Sequence, residues 1–152
     1  MSFSQAIRSG FANYVNFAGR AVRSEYWYWV LFVALVGVAA LLLDSAFIAN
    51  RHGPFQAVWH LVTLLPGIAV AVRRLHDTDR SGWWLAAVFA ATAALAAVFV
   101  FVLRSPILPM AIIVIGALVL IWWFCQPGTR GPNSYGPDPF GAAGHLRPPP
   151  AA

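Results

Sequence analysis

The sequence predicts an all-α membrane protein with four transmembrane helices, an N-terminal amphipathic helix and an irregular cytoplasmic C-terminal segment. Two observations carry this prediction. Of the 152 residues, 60% are hydrophobic and 10% are charged, whereas a soluble domain has about 25% charged residues. The chain also contains four apolar runs, each near the roughly 20 residues that a helix needs to cross a bilayer core. Because a water-soluble fold of this length cannot bury so much apolar surface, lipid must be the solvent for much of the chain.

The four apolar runs are predicted to be helices, because a backbone in hydrocarbon must pair its polar groups internally. The second run carries Gln56, His60 and Thr63, so we expect it to lie inside the bundle, with a kink at Pro66-Gly67. A tight turn after the third run predicts a hairpin of the third and fourth helices. The predicted spans are residues 26–48, 55–72, 83–103 and 107–125.

The segments that flank the spans are predicted to be of different kinds. Residues 3–18 place apolar side chains at helical spacing, which indicates an amphipathic helix lying in the membrane interface. A short soluble helix packed on the domain is the alternative. Pro and Gly break every helix after the fourth span, so residues 126–139 form a turn-rich segment that completes a membrane domain of residues 1–139. Residues 140–152 are predicted to be a disordered tail.

The positions of the arginines predict the orientation of the helices. The net charge of +5 comes from arginine alone, since the chain has no lysine. In a four-span arrangement Arg51 and Arg104 lie on one side of the membrane, and the positive-inside rule places the other side in the cytoplasm, with both termini. Trp83 and Trp84 lie at that same edge, where indole rings favour the interface. The arginines on the cytoplasmic side are Arg8, Arg20, Arg23, Arg73, Arg74, Arg80, Arg130 and Arg147.

Three polar motifs lie on this predicted cytoplasmic side. The first is GRAVRSEYW, residues 19–27. Ser24 is expected to cap the first membrane helix. Glu25 is expected to lie in the first turn of that helix, where a negative charge interacts favourably with the positive end of the helix dipole. The second is RRLHDTDRSGWW, residues 73–84, a charged loop between two spans, in which Arg73 and Arg74 are expected to end the preceding helix, where cations are favoured. The third is PGTRGPNSYGPD, residues 127–138, a run of turns.

The three motifs resemble those of a family of bacterial inner-membrane proteins, the domain of unknown function 805 family of the YhaH/YhaI type. The shared patterns are G-R-x-x-R-S-E-aromatic-W, R-R-L-H-D-x-x-R-S-G-W-W and P-G-T-x-G-x-N-x-Y-G-P-D, and they frame residues 19–139. Val22 departs from the pattern where a small residue is common, and Asp79 where Gly or Asn is common; Asp79 also adds a negative charge that opposes phosphate binding. The resemblance implies location in the bacterial inner membrane and implies no reaction, since the family has no assigned activity.

The predicted function is that of a non-enzymatic module that binds an anionic lipid headgroup or a partner protein at its cytoplasmic face. Arginine side chains match phosphate oxygens bidentately, whereas a solvated turn with mutual ion pairs is the structural alternative for the charged residues 73–80. No catalytic residue, metal ligand or cofactor is predicted. The expected partners are the lipid bilayer with anionic headgroups, a second copy or another membrane protein, and not nucleic acid. The candidate binding residues are Arg20, Arg23, Glu25, Arg73, Arg74, His76, Asp77, Arg80, Asn133, Tyr135 and Asp138.

Two other classes of protein stay open as alternatives. A small oligomeric transporter or channel would need polar residues along the bundle axis, and the chain offers Asp44, His60 and Thr63. An enzyme acting on a lipid headgroup would need paired carboxylates or a nucleophile with a base. Only the His and Asp residues at positions 76–79 offer such a set, and no familiar catalytic spacing surrounds them.

The second motif is also predicted to be a docking surface for the third. The Gly and Pro turns that follow the fourth span would fold residues 131–138 back under the bundle. Asn133 and Tyr135 would then bond the carboxylates or the backbone of residues 76–80, while residues of the first motif close the cluster. Buried polar groups need such partners, because each one left unpaired costs about 1–3 kcal/mol.

The arginine asymmetry makes a prediction about topology. A reporter fused after Gly141 should report the cytoplasm, and a reporter inserted within residues 51–54 should report the opposite side, because arginine-rich loops stay in the cytoplasm. Paired reporters that are active on opposite sides of the membrane, such as a phosphatase and a fluorescent protein, control for expression. A periplasmic C-terminus would contradict the orientation and move all three motifs with it.

Overall fold

In the computed structural model, residues 1–47, 53–102, 104 and 107–141 are described. This part of the chain forms five α-helices and no named strand. Four of the helices are long and apolar enough to cross a membrane, which confirms the predicted all-α membrane class. Most of the predicted tail, from residue 142 onwards, lies outside the described residues. The helices are α1 Phe3–Ala12, α2 Arg23–Phe47, α3 Pro54–Asp77, α4 Trp83–Phe101 and α5 Leu108–Cys125.

Helix α1 is shorter than the predicted segment of residues 3–18. It begins with a capping box, in which the Gln5 backbone N–H donates to Ser2 Oγ and the Ser2 N–H donates to Gln5 Oε1. It ends at Ala12 because the Asn13 side chain donates to the Ser9 carbonyl at 2.9 Å, and an asparagine that bonds the backbone locally competes with helix continuation. Helix α1 packs on α2 and α3, so it is both amphipathic and docked on the domain.

Helices α2 and α3 form a hairpin, and one buried aspartate links the end of α2 to the start of α3. The Asp44 carboxylate of α2 is fully buried and accepts the Phe55 N–H at 3.1 Å and the Gln56 N–H at 2.9 Å. Backbone N–H groups in the first turn of a helix have no partner within the helix, and Pro54 at the first position has no N–H to satisfy. Asp44 therefore caps α3 from the neighbouring helix. A Cβ atom at Gly53 would lie 2.2 Å from Asp44 Oδ1, so only glycine lets the two approach.

Helix α3 continues to Asp77, five residues beyond the predicted end at residue 72. Arg73 and Arg74 are helical, in agreement with their predicted place at the end of a helix, but the helix continues through His76 and Asp77, and the loop is confined to residues 78–82. The continuous apolar run ends at Val72, whereas the hydrogen-bond ladder of the helix continues to Asp77. Helix α3 passes through Pro66 without a break and is the most buried of the four spans, which agrees with its predicted place inside the bundle.

Helix α2 begins at Arg23, three residues before the predicted start. The backbone N–H of Tyr26 donates to the Val22 carbonyl at 3.2 Å, which is the first bond of the ladder. Ser24 therefore lies within the first turn, and the prediction that it caps the helix is wrong. Glu25 lies in the first turn as predicted.

Helices α4 and α5 pack against each other as the second hairpin. Their closest approach involves Gly116, where a Cβ atom would lie 2.5 Å from Thr92 Oγ1. The turn that joins them lies mostly outside the described residues. The bounds of α4 and α5 are close to the predicted ones.

The two hairpins meet at one end of the bundle, where α2 and α4 begin and α3 and α5 end. A buried apolar cluster joins them there, and we call this end of the molecule the polar face because the three polar motifs lie beside the cluster. Towards the other end, most apolar side chains of α4 and α5 are exposed, as is expected for helices in contact with lipid. The cluster consists of Ala71, Leu75, Leu85, Leu120 and Phe124.

The cap on α3 makes a prediction about stability. Asp44→Ala should lower the stability of the protein in detergent by about 0.5–2 kcal/mol, because two N–H groups at a helix start lose their acceptor. Asp44→Asn, which keeps one acceptor oxygen, should be intermediate. The matched control is Ser45→Ala, since Ser45 is exposed and bonds only the Leu42 carbonyl of its own helix. Thermal unfolding of the three variants measures the effect, and equal midpoints would show that the cap contributes nothing.

Candidate functional site

The first motif lies along the last turn of α3. The Ala21 N–H donates to the Arg73 carbonyl at 2.9 Å, and the Nδ1 atom of His76 lies 3.1 Å from the Gly19 carbonyl. Gly19 has a φ of +83°, a left-handed conformation that glycine adopts readily. The turn at Gly19 thus directs Arg20 towards the bundle axis.

A single carboxylate, that of Asp77, lies at the centre of the polar face. Arg20 Nε donates to Asp77 Oδ1 at 3.0 Å, and Arg74 Nη1 donates to Asp77 Oδ2. The side chains of Arg20, Arg74 and Asp77 are 2%, 0% and 4% exposed. Two guanidinium groups from different motifs therefore share one buried carboxylate. Burial removes all three charges from water, so the arrangement is stable only if the remaining N–H donors are also hydrogen-bonded.

The remaining donors of Arg20 bind the C-terminal segment. Its Nη1 donates to the Gly131 carbonyl at 2.7 Å and its Nη2 to the Thr129 carbonyl at 2.5 Å. The segment closes over the carboxylate at Gly128, where a Cβ atom would lie 2.2 Å from Asp77 Oδ2. Each nitrogen of the Arg20 guanidinium is therefore hydrogen-bonded inside the protein.

The remaining donors of Arg74 bind the end of α5. Its Nε donates to the Phe124 carbonyl at 3.2 Å, and its Nη2 donates to the Gln126 carbonyl. The last carbonyl groups of a helix have no partner within the helix, and a cation is favoured there by the helix dipole. Arg74 therefore ties the end of α3 to the end of α5 and keeps no free nitrogen for a ligand.

The third motif docks on the second as predicted. The Thr129 N–H donates to the Asp77 carbonyl at 2.8 Å, and Asn133 Nδ2 donates to the His76 carbonyl at 2.8 Å. The Tyr135 ring stacks on the His76 ring, with the centroids 3.9 Å apart and the planes 6° apart. Asn133 thus bonds backbone as expected, while the contact of Tyr135 is made by its ring face and not by a hydrogen bond to the loop.

Two more carboxylates hold the turns of the C-terminal segment. Asp138 Oδ2 accepts the Gly131 N–H at 2.9 Å, which closes the segment on itself. Asp79 has a positive φ of 57° and accepts the Ser134 N–H at 3.2 Å. The Asp79 carboxylate thus helps to fix the docked segment by accepting this hydrogen bond.

Arg73 points away from this cluster, towards α1. Its Nη1 donates to Glu25 Oε1 at 2.9 Å, and the same oxygen accepts the Ser9 hydroxyl at 2.7 Å. Beside this pair α1 approaches α2 so closely that a Cβ atom at Gly10 would lie 2.2 Å from Trp29 Cε3. Ser9 is a site residue that the sequence analysis missed, because nothing in a local pattern pairs it with Glu25. The Nε and Nη2 atoms of Arg73 are buried and have no hydrogen-bond partner in the described part of the protein.

The guanidinium groups that stay accessible form a rim around the cluster. Arg23 is exposed and makes one long contact of 3.5 Å with the Cys125 carbonyl. Arg80 is half-buried with its guanidinium carbon 5.4 Å from the centroid of the Trp123 ring, a cation–π distance. We call these two residues, together with the exposed Arg8 and Arg130, the arginine rim.

The polar residues considered for a transport path are not aligned through the bundle. Asp44 caps α3, and Thr63 donates to the Trp59 carbonyl of its own helix at 2.7 Å. His60 is exposed on the outer surface of α3. The set considered for catalysis is likewise engaged elsewhere, since Asp77 binds two arginines. Within the described ranges no three His, Cys, Asp or Glu side chains are grouped so that they could hold a metal ion.

The fold and the polar face define an integral membrane protein with four apolar helices and a structured polar end. The chain matches the family described as "Protein of unknown function (DUF805)" over residues 14–137, and it belongs to that family.

Three proteins of Escherichia coli (strain K12) are similar to it. The chain is 41% identical over 132 residues to inner membrane protein YhaI, covering 86% of this chain and 92% of that one. It is 38% identical over 130 residues to inner membrane protein YhaH, covering 84% and 89%. It is 36% identical over 136 residues to uncharacterized protein YiiR, covering 81% and 85%. No solved structure matches the chain.

The docking of the third motif makes a prediction about stability. Tyr135→Ala should lower the thermal stability in detergent, because a stacked aromatic pair contributes about 0.5–1.5 kcal/mol beyond the area that it buries. Tyr135→Phe is the matched control, since it keeps the ring face. Ending the chain after Gly128 should lower stability further, whereas ending it after Phe140 should change it little. Equal stability of all four proteins would show that the segment does not contribute to the fold.

Proposed function

We propose that this protein is a non-enzymatic membrane module that binds an anionic lipid headgroup at its polar face, and that this face lies in the cytoplasm together with both termini. The observation that carries the proposal is the division of the arginines into two groups. Arg20 and Arg74 are buried, and each of their guanidinium nitrogens donates a hydrogen bond inside the protein, whereas the arginine rim is accessible. The arginine rim therefore supplies the cationic groups that bind the headgroup.

The buried cluster supports this function by holding the rim in place. A ligand bound by groups on a fixed scaffold does not have to order them, so less affinity is lost on binding. The predicted candidates Arg20, Arg74, Asp77, Asn133 and Tyr135 are, in this proposal, the scaffold. Arg23 and Arg80 remain as binding residues, and Arg8 and Arg130 join them.

The position of the rim favours lipid phosphate as the anion. Arg80 lies against Trp123, and Trp84 packs edge-on against the same indole at 5.8 Å. Indole rings concentrate at the depth of the headgroups, so the rim lies where phosphates are dense. Each basic residue near an anionic membrane surface contributes about 1 kcal/mol of attraction.

Removal of rim charges tests the proposal. The purified protein, in nanodiscs of equal parts phosphatidylglycerol and phosphatidylcholine, should retain phosphatidylglycerol preferentially when extracted and measured by native mass spectrometry. The double variant Arg23→Gln, Arg130→Gln should lose most of this preference, roughly fivefold per arginine on the scale of about 1 kcal/mol each. Added salt should weaken it too, because exposed charges are screened beyond about 8–10 Å.

The matched control is Arg104→Gln, since Arg104 is exposed at the end of the bundle away from the polar face. Its retention of phosphatidylglycerol should fall at most by the roughly fivefold of a single charge, clearly less than in the double variant. The proposal fails if phosphatidylglycerol is not enriched over the bulk bilayer, or if the double variant and the control behave alike. Rim-dependent co-purification of one protein in place of a lipid would assign the rim to a partner and would also overturn the headgroup function.

A further inference from the structure

A groove of about 620 Å³ runs along the molecule between α3 and α4. Ile68 and Val72 of α3 form one wall, and Ala86 and Phe89 of α4 form the other. Phe17, in the segment between α1 and α2, closes one side. Phe89 is 62% exposed, so the groove opens towards the surroundings of two membrane-spanning helices and not into the protein interior.

The groove exists because α3 and α4 touch near the polar face and separate beyond it. At the point of contact a Cβ atom at Gly82 would lie 2.6 Å from Val72 Cγ1. Further from the polar face, Ile68 and Phe89 are both exposed, and the buried apolar cluster does not extend between them. The apolar walls of the groove can therefore contact a hydrocarbon chain on two sides, whereas the surface of a single helix can contact it on only one.

The end of the groove at the polar face is lined by His76 and Ser81. His76 is fixed by the Gly19 carbonyl at Nδ1 and by the Tyr135 ring. The structure shows no hydrogen bond from its Nε2 to any described residue. Ser81 accepts the Trp83 N–H at 3.3 Å and retains its own hydroxyl proton as a donor. The groove therefore combines apolar walls inside the membrane with hydrogen-bonding groups at headgroup depth.

We infer that this groove holds one acyl chain of a membrane phospholipid, whose phosphate headgroup lies between the end of the groove at His76 and Ser81 and the arginine rim. The inference rests on the proposed function, because it assigns the bound headgroup and this chain to one lipid molecule. The groove volume falls in the range of about 300–1,000 Å³ that is typical of ligand sites. A helix from a second copy is about 10–12 Å across with its side chains. An apolar helix of this kind would also leave His76 and Ser81, at the polar end of the groove, without a hydrogen-bond partner. Arginines outnumber carboxylates on this face, which suits an anionic lipid.

A lipid with a photoreactive acyl chain tests the inference. Phosphatidylglycerol carrying a diazirine in one chain is added to nanodiscs of the full-length protein, and cross-linked residues are identified by mass spectrometry. We expect labelling at Ile68 and Phe89 to exceed labelling at Leu118, which is 57% exposed on α5 and represents ordinary bilayer contact.

A variant that fills the groove provides the second measurement. Ala86→Trp should reduce labelling of Ile68 and Phe89 to the level of Leu118, because the new ring occupies the space between the walls. The matched control is Ala87→Trp, since Ala87 is exposed on the same helix and does not line the groove. Its labelling should equal that of the unchanged protein. The inference is wrong if Ile68 and Leu118 are labelled equally, or if Ala86→Trp changes nothing.

The same experiment separates the groove from the headgroup function. A phosphatidylcholine probe of the same chain should label the groove less than phosphatidylglycerol does. Equal labelling by both probes, still blocked by Ala86→Trp, supports the acyl-chain site and contradicts the anionic preference. Phosphatidylglycerol enrichment that depends on the arginine rim but gives no groove labelling supports the headgroup function and overturns the acyl-chain site.

Discussion

The pairing of Asp77 with Arg20 and Arg74 is the interaction on which the rest of the structure depends. One carboxylate in the last turn of α3 neutralises a guanidinium from the N-terminal side and another that reaches the end of α5. All three groups are buried, so removal of the acid would leave two positive charges without compensation, and breaking a buried pair costs about 3–5 kcal/mol. The two hairpins share little other contact, which makes this cluster and its apolar neighbours the junction of the molecule.

The same junction explains why the rim and the groove lie side by side. In the described part of the chain, the buried apolar cluster joins the hairpins at the polar face, and the apolar groove between α3 and α4 begins beside it. Arg20 and Arg74 are hydrogen-bonded within the junction, whereas the arginine rim lies around it. The proposed surface for phosphate and the proposed site for a hydrocarbon chain therefore follow from one packing arrangement.

The spans and the family could be predicted from the sequence, because hydropathy and the three motifs are local patterns. The roles of individual arginines could not. Arg73 and Arg74 are neighbours in the sequence, but successive helical residues point in different directions, so one bonds Glu25 and the other bonds Asp77. The predicted span ends at residue 72 because the continuous apolar run stops there, although the hydrogen-bond ladder of α3 continues to Asp77. Likewise α1 ends at Ala12 because one Asn13 side chain bonds backwards, an event to which periodicity is insensitive.

The cap that Asp44 supplies to α3 has a consequence for biogenesis. Helix α3 is the least apolar of the four spans, and a lone aspartate near the end of α2 is costly in a bilayer. The pairing of the two helices removes both difficulties together. The Asp44 carboxylate gains two N–H donors, and the N–H groups at the start of α3 gain their acceptor. The two helices are thus suited to leave the translocation machinery as a preformed pair and not one after the other.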